Sequence, residues 1–163
     1  MLRHRLVPLV VAVALASGCH GDRLQDVRAV PAPPRLSLLA VGGDATAPRV
    51  RVVLDSAGAD LPGSFRLAVH YDTTRHRFIG LEAADTLLLA AHDDGGRVLV
   101  AGASLQGFAA GAWATLRFAP RGDDAPAGVG PASFAMELLE VGATDGTDLR
   151  RRILVDPRSA WRP

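Results

Sequence analysis

Apolar and polar residues alternate along most of this chain from Leu36 onward. In Arg49-Val-Arg-Val-Val-Leu54, Val50, Val52 and Leu54 fall on one face, and Arg49 and Arg51 on the other. In Phe65-Arg-Leu-Ala-Val-His-Tyr71, Phe65, Leu67, Val69 and Tyr71 share a face opposite Arg66, Ala68 and His70. Ala114, Leu116 and Phe118 repeat the pattern. A period of two marks strands with one buried side. The spacing predicts strands over 36–41, 49–54, 65–71, 76–83, 86–91, 97–103, 113–118, 133–141 and 148–155. Leu81 to Ala91 is the one stretch whose Ala and Leu content also suits a helix. Asp93-Asp94-Gly95-Gly96 and Asp145-Gly146 carry hairpin chemistry, and Gly122 to Pro131 reads as a longer loop. Short strands with turns at this spacing predict an all-β fold, a sandwich or a barrel.

The first residues follow another pattern. Arg3 and Arg5 precede an apolar run from Leu6 to Ala16, followed by Ser17, Gly18 and the single cysteine, Cys19. A spanning helix needs about 20 apolar residues, and this run is shorter and holds Pro8. The order is that of a secretory signal with its processing site. It resembles a bacterial lipobox, which implies cleavage after Gly18 and a diacylglyceryl group on the Cys19 sulfur. Ala14-Leu15-Ala16 also fits ordinary signal cleavage, which would release a protein starting at Ser17. On the lipobox reading, residues 1–18 are signal peptide and 19–34 a lipidated N-terminus and tether. Residues 35–156 then form the domain and 157–163 a tail. Pro31, Pro33 and Pro34 stiffen the tether, whose full stretch is ~50 Å. His at position 20, rather than Asp, resembles sorting to the outer membrane of a Gram-negative cell envelope.

Charge narrows the partners. Without Arg3 and Arg5 the 18 basic residues fall one short of the 17 acidic ones, leaving no surplus for nucleic acid. Every cation is arginine, a composition of GC-rich bacterial genomes. One cysteine excludes an internal disulfide, so apolar burial must hold the domain together.

Phe65-Arg-Leu-Ala-Val-His-Tyr-Asp-Thr-Thr-Arg-His-Arg-Phe-Ile-Gly80 resembles the third and fourth strands of bacterial cohesins. There an alternating strand ends in Tyr-Asp-Pro; here Tyr71-Asp72 is followed by Thr73. Gly96-Arg-Val-Leu-Val-Ala-Gly102 and Gly111-Ala-Trp-Ala-Thr-Leu-Arg-Phe118 are similar to the sixth and seventh strands of that family. The resemblance implies a nine-stranded jelly-roll (Ig-like) β-sandwich without catalysis, related in fold to some carbohydrate-binding modules. It implies partner binding, to a dockerin or an envelope protein, on a sheet of strands three, five, six and eight. Ser64, Arg66, Ala68 and His70 would then face the partner. Cellulosomal cohesins carry Asn and Asp near the start of that face, where this chain has Ser64 and Arg66.

Other chemistry is sparse. Gly102-Ala-Ser-Leu-Gln106 begins like a nucleophile elbow but lacks the closing Gly. His70 and Asp72 lie two apart, yet two ligands do not make a metal site. Asp93-Asp94, and Asp145 with Asp148, lack the calcium-loop order, and turn formation accounts for them. No cofactor beyond the Cys19 lipid is expected. Trp113 is out of phase with Leu116 and Phe118; that predicts exposure, and with it the alternative of a glycan-binding module. Tyr71 is in core phase, its hydroxyl expected on a backbone group. Arg150-Arg151-Arg152 reads as a charged edge strand, and Trp161 and the residues from Asp156 as a frayed end.

Overall fold

The computed structural model describes residues 32–41, 48–55, 61–83, 88–122 and 133–160. The strands are β1 (Arg35–Val41), β2 (Arg49–Leu54), β3 (Pro62–Tyr71), β4 (His76–Glu82), β5 (Leu88–Asp93), β6 (Arg97–Ala103), β7 (Gly111–Pro120), β8 (Phe134–Ala143) and β9 (Leu154–Val155). They form a five-stranded sheet in the order β4-β7-β2-β1-β9 and a four-stranded sheet in the order β5-β6-β3-β8. Pairing is antiparallel except for β1 with β9. This is a nine-stranded β-sandwich. The described residues of the Leu81–Ala91 stretch fall at the end of β4 and in β5, and 84–87 lie outside the described residues. Cys19, Gly18 and the tether up to Pro31 lie outside the described residues, as do most of the Gly122–Pro131 loop and Trp161.

The alternating positions meet between the sheets. Leu36, Val50, Val52, Leu54, Leu116 and Phe118 come from one sheet, and Phe65, Leu67, Val69, Val98, Val100 and Met136 from the other. Rings gather at two ends of this core. Phe65 stacks on Trp113 at 4.9 Å and meets Phe108 at 5.0 Å. Phe118 meets Phe134 at 4.7 Å and Tyr71 at 5.1 Å. Ring pairs in these offset and edge arrangements add to the gain from burial.

Two expectations fail at the C-terminal end. The ninth strand, expected over 148–155, is only Leu154–Val155, and Arg150, Arg151 and Arg152 lie in a turn rather than on an edge strand. Leu149 and Ile153 are buried, and Ile153 N–H donates to Leu149 O at 3.2 Å. Arg152 N–H donates to the same Leu149 oxygen at 2.8 Å, and these two local bonds coil the chain into a turn where a strand would need a neighbour's ladder. The segment from Asp156 is docked, not frayed, as far as Ala160. Leu38 N–H donates to Ser159 Oγ at 2.9 Å, and Ala160 bridges Met136.

Candidate functional site

The register of the four-stranded sheet fixes its outer face. Ser64, Arg66, Ala68 and His70 on β3 oppose Ala103, Ala101, Leu99 and Arg97 on β6. On the other side they oppose Gly142, Glu140, Glu137 and Ala135 on β8. Leu88, Ala90 and His92 of β5 extend the rows beyond β6. One half of the face, on β5 and β6, is mostly alanine and leucine. The other half carries charge: Arg66 Nη1 donates to Glu140 Oε1 at 2.9 Å, and His70 Nε2 lies 3.5 Å from Glu137 Oε2.

Sequence phase places Ser64, Arg66 and His70 together on this face, as observed. Ser64 and Arg66 are exposed and His70 is half-buried. Ala68 faces outward by register but is fully buried, because its methyl sits between the longer Leu99 and Glu137. A shallow central depression of about 190 Å³ is lined by Arg66, Ala90, His92, Leu99, Ala101 and Leu139. At one end of the sheet, Ser64, Leu88, Ala103, Ser104, Leu105 and Thr144 line a hollow of about 300 Å³. Leu88 is 77% exposed and Leu105 101%, so two full leucine side chains stand in solvent at its rim. No phase argument finds this hollow, because it is made where the ends of β3, β5, β6 and β8 converge.

The remaining candidates resolve as structure. Trp113 is 2% exposed, contrary to the expectation from its phase. The β2–β7 register shifts between Val52 and Val53, so Trp113 is the extra residue of a β-bulge. The bulge resets the alternation and puts Trp113 and Ala114 both inside. The Trp113 indole N–H donates to Ala109 O at 3.0 Å, and its ring is packed against Phe65 and Phe108 in the core rather than presented to a sugar. Ser104 donates its hydroxyl to Gly107 O at 3.1 Å within a turn. Gly102 is required by packing: a Cβ there would come 2.4 Å from the Phe65 ring.

The Tyr71 hydroxyl donates to the Asp93 carboxylate at 2.9 Å, not to a backbone group. Burial first, then the hydrogen bond to Asp93 and its charge, push the Tyr71 phenol up. The Asp72 carboxylate is engaged by its own turn: its Oδ1 accepts the Thr74 hydroxyl at 2.6 Å and the Thr74 N–H at 2.8 Å, and these bonds hold its carboxyl low. Asp94 pairs with Arg97 at 3.0 Å, Asp145 accepts Thr147 N–H and Asp148 accepts Arg150 N–H. Among the described residues no three His, Cys, Asp or Glu side chains converge to hold a metal.

No family profile matches the chain, and no curated protein does. Solved structures match over most of the sandwich. A non-cellulosomal cohesin from the archaeon Archaeoglobus fulgidus is 17% identical, with a TM-score of 0.57 over 76% of this chain and 86% of that one. The domain has the cohesin fold. A cohesin from scaffoldin B of Acetivibrio cellulolyticus, solved with a Cel5 dockerin, is 18% identical with a TM-score of 0.58 over 76% of this chain and 94% of that one. A cohesin from a cohesin–dockerin complex of Clostridium thermocellum is 14% identical, with a TM-score of 0.54 over 76% of this chain and 98% of that one. In this cohesin-like domain, Tyr71-Asp72 closes β3 and starts the turn into β4, where the sequence resemblance puts it.

Proposed function

We propose that this cohesin-like domain is a non-catalytic module that binds a partner protein through the outer face of β5-β6-β3-β8. The observation that carries this reading is the face itself. It joins an apolar half with two solvent-standing leucines to a half that carries charged pairs, so one face offers both the apolar and the polar contacts that protein interfaces use. Cohesins of the same fold crystallised with dockerins support a dockerin-like partner. The lipobox-like N-terminus supports a tether to the cell envelope through Cys19, on the outer membrane by the His20 reading. Acyl chains contribute about 0.8 kcal/mol per buried methylene, and two chains already give stable anchoring.

The test has two parts. Envelope and secreted proteins are captured on the immobilised domain and identified, and binding to the purified partner is then measured by calorimetry. Leu88→Glu and Arg66→Glu are expected to weaken that binding at least about tenfold, as for interface anchors. Arg77→Glu, on the other sheet, leaves it unchanged. Affinity indifferent to Leu88 and Arg66 overturns the assignment of the face. Metabolic labelling with clickable palmitate is expected to mark the wild-type chain and not Cys19→Ala.

A further inference from the structure

Arginines distant in sequence converge on the outer face of the five-stranded sheet. Arg49 lies directly opposite Arg117, with Arg51 two residues along β2 on the same face. Arg77 opposes Ala119, two residues from Arg117, and Arg35 begins β1 with its side chain opposite in phase to the buried Leu36. Among the described residues Glu82 and Asp55 bond to these arginines, and Asp156, whose N–H donates to Leu36 O, lies beside β1. Glu82 is shared between Arg49 at 3.7 Å and Arg117 at 3.5 Å. Asp55 accepts the Arg35 backbone N–H at 2.7 Å. Among the described residues no carboxylate pairs with Arg51 or Arg77, and Arg51 Nε is buried without an acceptor. Placing like charges opposite one another across a sheet is unfavourable. In a chain of 18 basic and 17 acidic residues, this face is a local surplus.

Apolar side chains accompany the arginines. Leu39, 50% exposed, pairs with Arg51, and Leu154, 44% exposed, pairs with Arg35. Ile79, the extra residue of a bulge on the edge strand β4, is also exposed. A soluble polyanion would attract the guanidinium groups but gain nothing from these leucines. A lipid headgroup layer rewards both, because guanidinium pairs with phosphate while apolar tips enter the acyl boundary. β1 is also the strand that follows the tether directly in sequence.

We infer that the outer face of the five-stranded sheet lies on an anionic phospholipid surface. The domain then rests on the bilayer through β4-β7-β2-β1-β9 and offers β5-β6-β3-β8 to its partner. This rests on the anchored reading only for the nearness of a bilayer. The following assay uses no anchor and no partner, so either reading can fail alone.

Every described strand and the whole described core lie in the unit from Ala32 to Pro163, and the assay uses that unit. It is sedimented with phosphatidylglycerol-containing vesicles and with pure phosphatidylcholine vesicles, at low salt and at about 0.5 M salt. Binding is expected to the anionic vesicles alone, and to be lost at high salt. Arg49→Glu, Arg51→Glu and Arg77→Glu together are expected to reduce it by more than about tenfold. Arg66→Glu, on the opposite sheet, leaves it unchanged. A polarity-sensitive dye on Leu39→Cys is expected to shift to the blue on anionic vesicles and not with heparin. Equal sedimentation with both vesicle types, unchanged binding of the triple variant with a wild-type melting curve, or binding to heparin without any dye shift on vesicles overturns the inference.

Discussion

Gly102 shows how much one side chain can decide. It lies in β6 directly under the Phe65 ring, with Leu89 Cδ2 2.7 Å from where a Cβ would sit. Gly102→Ala is expected to destabilise the domain by about 1–3 kcal/mol through overpacking, read from chemical denaturation. His76 is the second such residue. It is buried, stacks on Phe134 at 5.2 Å, and its Nδ1 has no hydrogen-bond partner. Burial pushes the imidazole below its ordinary value; Asp72 opposes this and Arg75 adds to it. The folded state therefore favours neutral His76, whose contribution is complete above the ordinary histidine range and is lost as pH falls below it. Protonation would add an N–H at Nδ1 with no acceptor. Thermal melts at pH 7.5 and pH 5 are expected to differ less for His76→Gln than for the wild type. Equal differences would show that other groups carry the acid limb.

At the scale of elements, alternation named the strands because each has one wet side and one dry side. β2, β6 and the Asp93–Gly96 hairpin lie where the pattern puts them, with Gly95 and Gly96 at positive φ in the turn. Alternation fails where an element departs from a plain ladder. The Trp113 bulge inserts one residue, and every inference about side beyond such a point is reversed. The last element fails differently: 148–153 has strand-like composition, but Arg152 N–H and Ile153 N–H both bond back to Leu149 O, which makes a turn. Ser159 then ties the C-terminal segment to β8 and β1, its backbone carbonyl accepting from Met136 N–H and its hydroxyl oxygen from Leu38 N–H. Ser159→Ala leaves the Leu38 N–H without that acceptor. It is expected to cost about 1–3 kcal/mol and lower the melting temperature. An unchanged melt would mean that this bond contributes nothing net.

At the scale of the whole molecule, the two sheets turn different chemistry outward. One outer face is alanine and leucine bordered by paired charges; the other is arginine interleaved with leucine. Neither is visible as a run in the chain. Arg35, Arg49, Arg51, Arg77 and Arg117 span more than half of the domain and meet only because β4, β7, β2 and β1 are neighbours. The two faces share no side chains, so substitutions on one are expected to add independently to those on the other. On the proposed readings, their separation would let a single small domain meet a lipid surface and a partner at once.

The amino-acid sequence by itself determined the all-β class, most strand positions, the sides taken by Ser64, Arg66 and His70, and the lipobox-like start. Those are local properties: side-chain period, turn residues and a short processing motif. Tertiary structure alone decided that Trp113 is core, that Tyr71 answers to Asp93, that the C-terminal segment docks through Ser159, and that scattered arginines form one face. Each depends on which strands become neighbours and in what register, and a long-range pairing leaves no mark in the alternation of either partner.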